Sequence, residues 1–595
     1  MRTLARMLEQ ACGKYGNGTF LVYPTGPNDE LHELSYADFL GGVRTWAAFL
    51  IRRGVQPGDR VAIITPKSPS QVQAFYACWW AGAIAVPVCE NLGDLEMGFV
   101  IRDSEPRLIL IDADMRDKVS ANSGDVPLVE FGEMPVAAAE DGRLAAVARN
   151  EEDVAALIYT SGSTGMPKGV MLTHRNLYVN AAGAAEVFRV STRDRITSLL
   201  PYWHSYALVC EVLTFVMCGA QTAVPKDMRD FKRNIKKYQP TVILVVPRIA
   251  DALMSGIQKR IAESPEPVRR IFDRAIHNAS RIFTAGPRMD GGLLRMVTHH
   301  AFYDPLVFRK IRANLGGRLR FFVSGGAPLD IEHQIFFKYL GVPVYQGYGL
   351  TESSPIVSTN LPERHKLGSS GPLFPWLRPE RGGDYAFRND QGQTGKDLHG
   401  ELLVKGDCVM KGYWRHTDAS AKTLADGWLH TGDMGYVDAE GFLFLEGRQG
   451  NMIVLVGGEK LHPEHVEDAV KTSALITECM VIGEKCKNVY ALVNVDPDRT
   501  AGLGESELLE RLRKEVQDKT AHLAAFQKPK DVLVLPDFTI DEGTLTATLK
   551  VRRHMVWQKH GEEIRHFLVR NGEEIATKRE VGIASSKVME SLGRA

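Results

Sequence analysis

The chain has 595 residues, 44% of them hydrophobic, with 72 basic side chains set against 72 acidic ones. That length exceeds what one core usually supports and predicts about two to four domains or subdomains. The balanced charge gives no global basic field and argues against nucleic acid as a main partner. Eight cysteines (Cys12, Cys78, Cys89, Cys210, Cys218, Cys408, Cys479, Cys486) form no Cys-x-x-Cys pair, and most sit in apolar runs. They predict reduced core thiols in a cytoplasmic protein, not a disulfide frame or a zinc site. The N-terminus, MRTLARMLEQACGKYG, lacks the apolar region of a signal peptide. No run of about 18 apolar residues predicts a membrane span.

From residue 1 to about 150, helical patterns alternate with short apolar runs: DRVAIITP, SQVQAFYACWWAGA, IAVPV and PRLILID. This rhythm predicts an α/β fold with a largely parallel sheet. It continues through ITSLLP, ALVCEVLTFVMCGA, TVILVVP and, after a helical insert, RLRFFVSG. Beyond about residue 380, glycine-punctuated short strands such as GELLVKGD and GYVDAEGFLFLEGR suggest a distorted β element. After Arg448 a smaller α/β piece follows, with helices over HPEHVEDAVKT and ESELLERLRKEVQDK and strands over ECMVIGE and NVYALVNVD. The tail, 571–595, is charged and poor in large apolar residues.

One loop carries the strongest chemical signal. In YTSGSTGMPK, Thr160, Ser161, Ser163 and Thr164 supply hydroxyls, Gly162 and Gly165 allow backbone N–H groups to approach anions, and Lys168 adds a point charge. AALIY before it and VMLTH after it predict a strand-loop-strand, and no Gly-Lys-Ser/Thr step opens a helix as a mononucleotide P-loop requires. Six further segments stand in order along the chain: YWHSY at 202–206, SGGAPL at 324–329, YGLTES at 348–353, TGD at 431–433, EGR at 446–448, and Lys550 in TLTATLKVRR. Together they resemble the adenylate-forming acyl-CoA synthetases (AMP-binding enzymes), along nearly the whole chain and on the long-chain fatty acid–CoA ligase branch.

The resemblance implies a large N-terminal domain, 1–449, of parallel-sheet αβ subdomains plus a distorted β-barrel. A small mobile C-terminal α/β lid, 450–570, would follow. It implies ATP-dependent activation of a medium- to long-chain fatty acid to acyl-AMP and pyrophosphate, then transfer to CoA with release of AMP. The phosphate loop, Thr160 to Lys168, would grip the β- and γ-phosphates, and Thr164 with Glu352 would hold Mg2+. Gly325, Gly326, Ala327 and Pro328, with Gln346, Gly347, Tyr348, Gly349 and Thr351, would form the adenine wall. Asp433 would accept the ribose hydroxyls and Arg448 donate to the same sugar or a nearby phosphate. Lys550 would offset charge on the α-phosphate and carboxylate in the transition state. TATLK departs from the family's commonest form, and Lys528, Lys530 and Lys559 are neighbouring alternatives. His204 would gate or orient the acyl group, though Trp203 and Tyr206 beside it equally suit a packing histidine.

The implied hinge is Gly450, where relatives usually carry Asp or Lys, and Gly457 and Gly458 would line the thiol channel. The insert of about seventy residues between VPRI and RLRFFVSGGAP fits the long-chain branch. Its 266–283 helix places Val268, Ile271, Phe272, Ala275, Ile276, Ala279 and Phe283 on one face near Arg269, Arg270, Arg274 and Arg281, a pattern that packs on protein or rests on the inner membrane surface. Three alternatives stand beside the leading reading. An acyl-acyl-carrier-protein synthetase or fatty acyl-AMP ligase would share the first half-reaction, and PYWHSY with CEVLTF also resembles such relatives. A non-catalytic lipid- or nucleotide-binding protein and a luciferase-like use of the adenylate are more distant.

Overall fold

The computed structural model describes residues 2–26, 29–135, 144–160, 166–285, 299–546 and 548–573. These divide into two compact units: most of the chain up to Leu445 forms the first, and the second runs from Glu446 and takes in Gly432–Met434.

The first unit holds two sheets whole and most of a third. The largest has eight strands in the order Ile356–Thr359, Val344–Gly349, Phe321–Ser324, Val242–Val245, Arg195–Thr197, Gln221–Ala223, Thr19–Thr25 and Glu30–Ser35. Its interior pairs are parallel and only the two outer pairs antiparallel. The second has seven strands, ordered Gly412–Tyr413, Lys168–Thr173, Val154–Thr160, Ile84–Val88, Arg60–Ile64, Leu108–Ile111 and Leu128–Glu130. Runs such as Leu108–Ile111 and Val242–Val245 are buried at every position, because helices cover both faces of a parallel sheet. The main core joins residues of both sheets, including Ile63, Ala85, Ile158, Val242, Val323 and Tyr345.

The glycine-punctuated stretch forms an open sheet in place of the expected barrel. Its strands run Thr394–Gly395, Asp384–Arg388, Gly400–Lys405, Leu429–Val437 and Leu443–Arg448. The outer strand at one edge, Thr394–Gly395, is two residues long and offers too little ladder to close the sheet on itself. In the insert, Phe272, Ala275 and Ala279 are buried in a second core with Phe308, Phe322 and Phe337, so the central part of the face that could meet a membrane is covered by protein. Val268 remains exposed. Among the described residues, no helix is long and apolar enough to cross a membrane. All eight cysteines are free thiols, seven of them buried and Cys218 half-buried.

The second unit is built on the strands Ile476–Ile482, Tyr490–Val495 and Val532–Val534. Period-two alternation sends Cys479, Val481, Ala491 and Val493 into one core, and Met480, Ile482, Tyr490 and Leu492 into another. The helices Pro463–Lys471 and Glu505–Lys519 serve the first core and Arg553–Arg570 the second. Of the tail, residues 574–595 lie outside the described residues.

Candidate functional site

Val154–Thr160 pairs antiparallel with Lys168–Thr173, with Thr160 opposite Lys168, so the signal loop joins two strands as expected. Ser161, Gly162, Ser163, Thr164 and Gly165 lie outside the described residues. The hairpin is clamped on both sides. The Tyr159 hydroxyl donates to Asp103 Oδ2 at 2.6 Å, and burial pushes that phenol's pKa up. On the other strand the Trp414 N–H donates to the Gly169 carbonyl at 2.7 Å, and Tyr413 pairs with Val170. Tyr413 then links two predicted residues. Lys168 Nζ stands 5.3 Å from the centre of its ring, and its hydroxyl donates to Glu352 Oε1 at 2.8 Å. A cation and a carboxylate far apart in sequence are thereby set on one phenol.

Glu352 sits in the turn Thr351–Ser353, just after the strand Val344–Gly349. Gly349 is obligatory there, because a Cβ would lie 2.0 Å from the Pro355 carbonyl oxygen. The Met410 N–H donates to the Glu352 carbonyl at 2.8 Å, and the Thr351 and Ser205 hydroxyls are 3.3 Å apart. Next to this strand, Phe321–Ser324 delivers Gly325, Gly326, Ala327 and Pro328 at the carboxyl edge of the parallel sheet, where open α/β sheets take ligands. Gly326, Ala327 and Pro328 are exposed. Gly326 adopts φ +86°, which a side chain rarely tolerates. Gln346 ties the two segments, its Oε1 accepting from the Leu329 N–H at 2.8 Å. Gly347 abuts the Ser358 carbonyl, and Tyr348 packs half-buried against the main core.

His204 caps a short helix, its Nδ1 accepting from the Tyr206 N–H at 3.2 Å. The Tyr206 ring lies 3.2 Å from the position a Gly325 Cβ would occupy, and its hydroxyl donates to the Val323 carbonyl. YWHSY and SGGAPL are therefore in contact. Behind them lies a carboxylate that motif reasoning passed over. Glu211 is fully buried, and it accepts from the Ser198 hydroxyl and from the Leu199 and Leu200 N–H groups. The half-buried Lys67 donates to the Ser198 carbonyl. Burial raises the Glu211 pKa and lowers that of Lys67, each partly offset by the other's charge. A lone acid within ALVCEVLTF was its legible signal, since a charge in an apolar run must be paired. Tyr413, in KGYW, gave none.

In the second unit, the nearly buried Asp433 accepts from Arg448 Nε at 3.1 Å. Lys550 lies in a tight turn where its N–H donates to Thr546 Oγ1 and its carbonyl accepts from the Thr546 N–H. Of the neighbouring alternatives, Lys528 donates to the Ala521 carbonyl, Lys530 donates to the Asn571 carbonyl, and Lys559 pairs with Glu542. Gly450 occupies the turn Gln449–Asn451 with open space where a Cβ would be, so its backbone is not forced by crowding. Gly457 and Gly458 follow, the latter with φ +88°.

The AMP-binding enzyme profile matches residues 8–414. The chain belongs to the AMP-binding enzyme family. A separate profile, the AMP-binding enzyme C-terminal domain, matches residues 450–571. This AMP-binding enzyme is 31% identical to the long-chain-fatty-acid–CoA ligase FadD15 of Mycobacterium tuberculosis, over 89% of this chain and 92% of that protein. It is 28% identical to the chloroplastic long-chain-fatty-acid–[acyl-carrier-protein] ligase AEE15 of Arabidopsis thaliana, over 93% of this chain and 84% of that one. Among solved structures, ATP-bound MatB from Rhodopseudomonas palustris shares the fold with a TM-score of 0.70 at 22% identity, covering 94% of this chain and 99% of that chain.

Proposed function

We propose that this AMP-binding enzyme activates a medium- to long-chain fatty acid with ATP and passes the acyl group from acyl-AMP to the thiol of CoA. The observation that carries the reading is the convergence of Lys168 and Glu352 on Tyr413, in a chain resembling a long-chain ligase over nearly its whole length. Joining a carboxylate to a triphosphate brings two anions together, so the site must supply positive charge and fixed donors. Lys168, with the hydroxyls and amides of the 160–165 loop, neutralises phosphate oxygens. Gly325 to Pro328 and Gln346 to Gly349 give the adenine a flat wall of small residues and backbone. Asp433 accepts from the ribose hydroxyls, with Arg448 donating to Asp433 and to the sugar or a phosphate. Lys550 is the cation for the α-phosphate in the transition state, and His204 orients the acyl carboxylate.

Glu352 fits a magnesium site: its carboxylate takes one hydrogen bond from Tyr413 and has further acceptor capacity, so that Glu352, with the Thr164 hydroxyl, would hold the cation. Held there, the cation would supply charge neutralisation for the phosphates. Residues 450–570 form the mobile lid, turning about Gly450 between the half-reactions, with Gly457 and Gly458 lining the thiol path.

Likeness to the AEE15 ligase favours a second reading, with an acyl carrier protein as the thiol donor. Both are tested by following pyrophosphate and AMP release across C2 to C18 acids with no acceptor, with CoA, and with holo-acyl carrier protein. Sustained AMP formation only with CoA and long acids supports the first reading. Turnover only with the carrier protein supports the second, and no acid-dependent pyrophosphate overturns both.

A further inference from the structure

The segment Pro201–Tyr206 carries His204 and touches both the Glu352 turn, through Ser205 and Thr351, and the 325–328 loop, through Tyr206. It has no regular structure before His204, so its position depends on how its two ends are held. One end leaves the strand Arg195–Thr197, and the other enters a helix that widens to π-type over Leu208–Leu213. Glu211 lies in that widened turn, seven residues after His204, and its carboxylate reaches back to the first end. There it takes the Ser198 hydroxyl on Oε2 and the Leu199 and Leu200 N–H groups on Oε1, at 3.3 and 3.4 Å. Its own carbonyl accepts from Thr222 Oγ1 at 3.3 Å. Lys67, following the strand Arg60–Ile64 of the other sheet, donates to the Ser198 carbonyl from outside.

A buried carboxylate is costly unless several donors meet it, and an apolar side chain there would avoid the cost. What an apolar side chain could not do is fasten residue 198 to residue 211. We infer that Glu211 is a positioning residue, which with Lys67 closes residues 198–211 into a fixed loop and so sets where His204 and Ser205 present themselves to the acyl carboxylate. This rests on the proposed role of His204 at the acyl end of the site.

The test compares E211Q, S198A and K67M with wild type. S198A removes a single hydroxyl and K67M changes a half-buried position, so the test survives if E211Q fails to fold. E211Q is expected to raise KM for the fatty acid about tenfold or more, the scale of one charge-assisted hydrogen bond, with KM for ATP within about twofold. In an H204A background the same substitution is expected to change the fatty-acid KM less than about twofold, because the two residues act as one unit. Hydrogen exchange at the Leu199 and Leu200 amides is expected to accelerate about tenfold in the folded variant, a readout that requires no substrate. Unchanged exchange at these amides overturns the inference whatever the substrate proves to be. Equal losses in the presence and absence of His204, or parallel rises in both KM values, overturn it too, as signs of a general structural role. If wild type releases no pyrophosphate with any fatty acid, the substrate reading fails while the exchange result still decides whether Glu211 holds the loop.

Discussion

His174 offers a sharp test of the electrostatics, because it is 1% exposed and carries the start of the helix that follows the Lys168–Thr173 strand. Its Nδ1 accepts from the Leu4 N–H at 3.3 Å, so the ring is neutral with its proton on Nε2. Burial, then the nearby Arg149 charge, lowers its pKa to about 4 from an ordinary value of 6.5, against a smaller opposing pull from Asp153. The unfolded chain therefore binds a proton near pH 6.5 that the folded chain refuses until about pH 4. Stability is lost as pH falls through that window, at up to about 1.4 kcal/mol per unit, and about 2 kcal/mol is gone between pH 7.5 and 5. H174N keeps an acceptor for the Leu4 amide and removes the titration. Urea unfolding followed by tryptophan fluorescence suits the measurement, since every tryptophan except Trp557 lies in the first unit. The substitution lowers stability at pH 7.5 through lost packing, but wild type should lose about 2 kcal/mol more than H174N on going to pH 5. Equal acid losses in the two proteins would refute the assignment.

Three further outcomes are expected. Tyr413→Phe keeps the ring under Lys168 but removes the hydroxyl on Glu352; loss of about 1 kcal/mol predicts a rise of a few fold in KM for ATP with magnesium, and unchanged ATP kinetics would count against the Lys168–Tyr413–Glu352 grouping. Lys550→Ala should slow acid-dependent pyrophosphate exchange by about 10² to 10³ while leaving thioester formation from supplied acyl-AMP largely intact. Loss of both half-reactions would remove Lys550 from the proposed role. Gly450→Ala should be nearly silent, because the added methyl meets open space, whereas Gly450→Pro should slow thioester formation more than adenylation. Equal slowing of both steps by proline would sink the hinge assignment.

The strand-loop-strand around the signal loop was legible because apolar runs bracket a polar, glycine-rich turn, and that pattern is local. The closure of the β element was not legible. Glycine punctuation marks where strands stop, but whether the edges meet depends on pairing partners and lengths, such as the two-residue strand Thr394–Gly395. The insert helix showed an apolar face readily enough, yet what covers Phe272 and Ala279 is decided by distant residues such as Phe322 and Phe337. Glu352 stood out through its flanking words, while Tyr413, its partner 61 positions away, has no local pattern to betray it. Glu211 was passed over although a lone acid in an apolar run is an anomaly, and which donors it serves depends on a chain reversal that one-dimensional reading does not encode.

The burial of the cysteines has a chemical consequence. An activated acyl phosphate ester is an electrophile that any accessible thiolate would intercept. Here burial pushes Cys12 and Cys89 to about 12 and Cys218 and Cys486 to about 11. Burial likewise carries Cys78, Cys210, Cys408 and Cys479 far above the ordinary thiol range. Even at a pKa of about 11, about one thiol in ten thousand is ionised at pH 7. The chain thus brings almost no competing sulfur nucleophile to its own chemistry, and an incoming pantetheine thiol meets little self-acylation to lose product to.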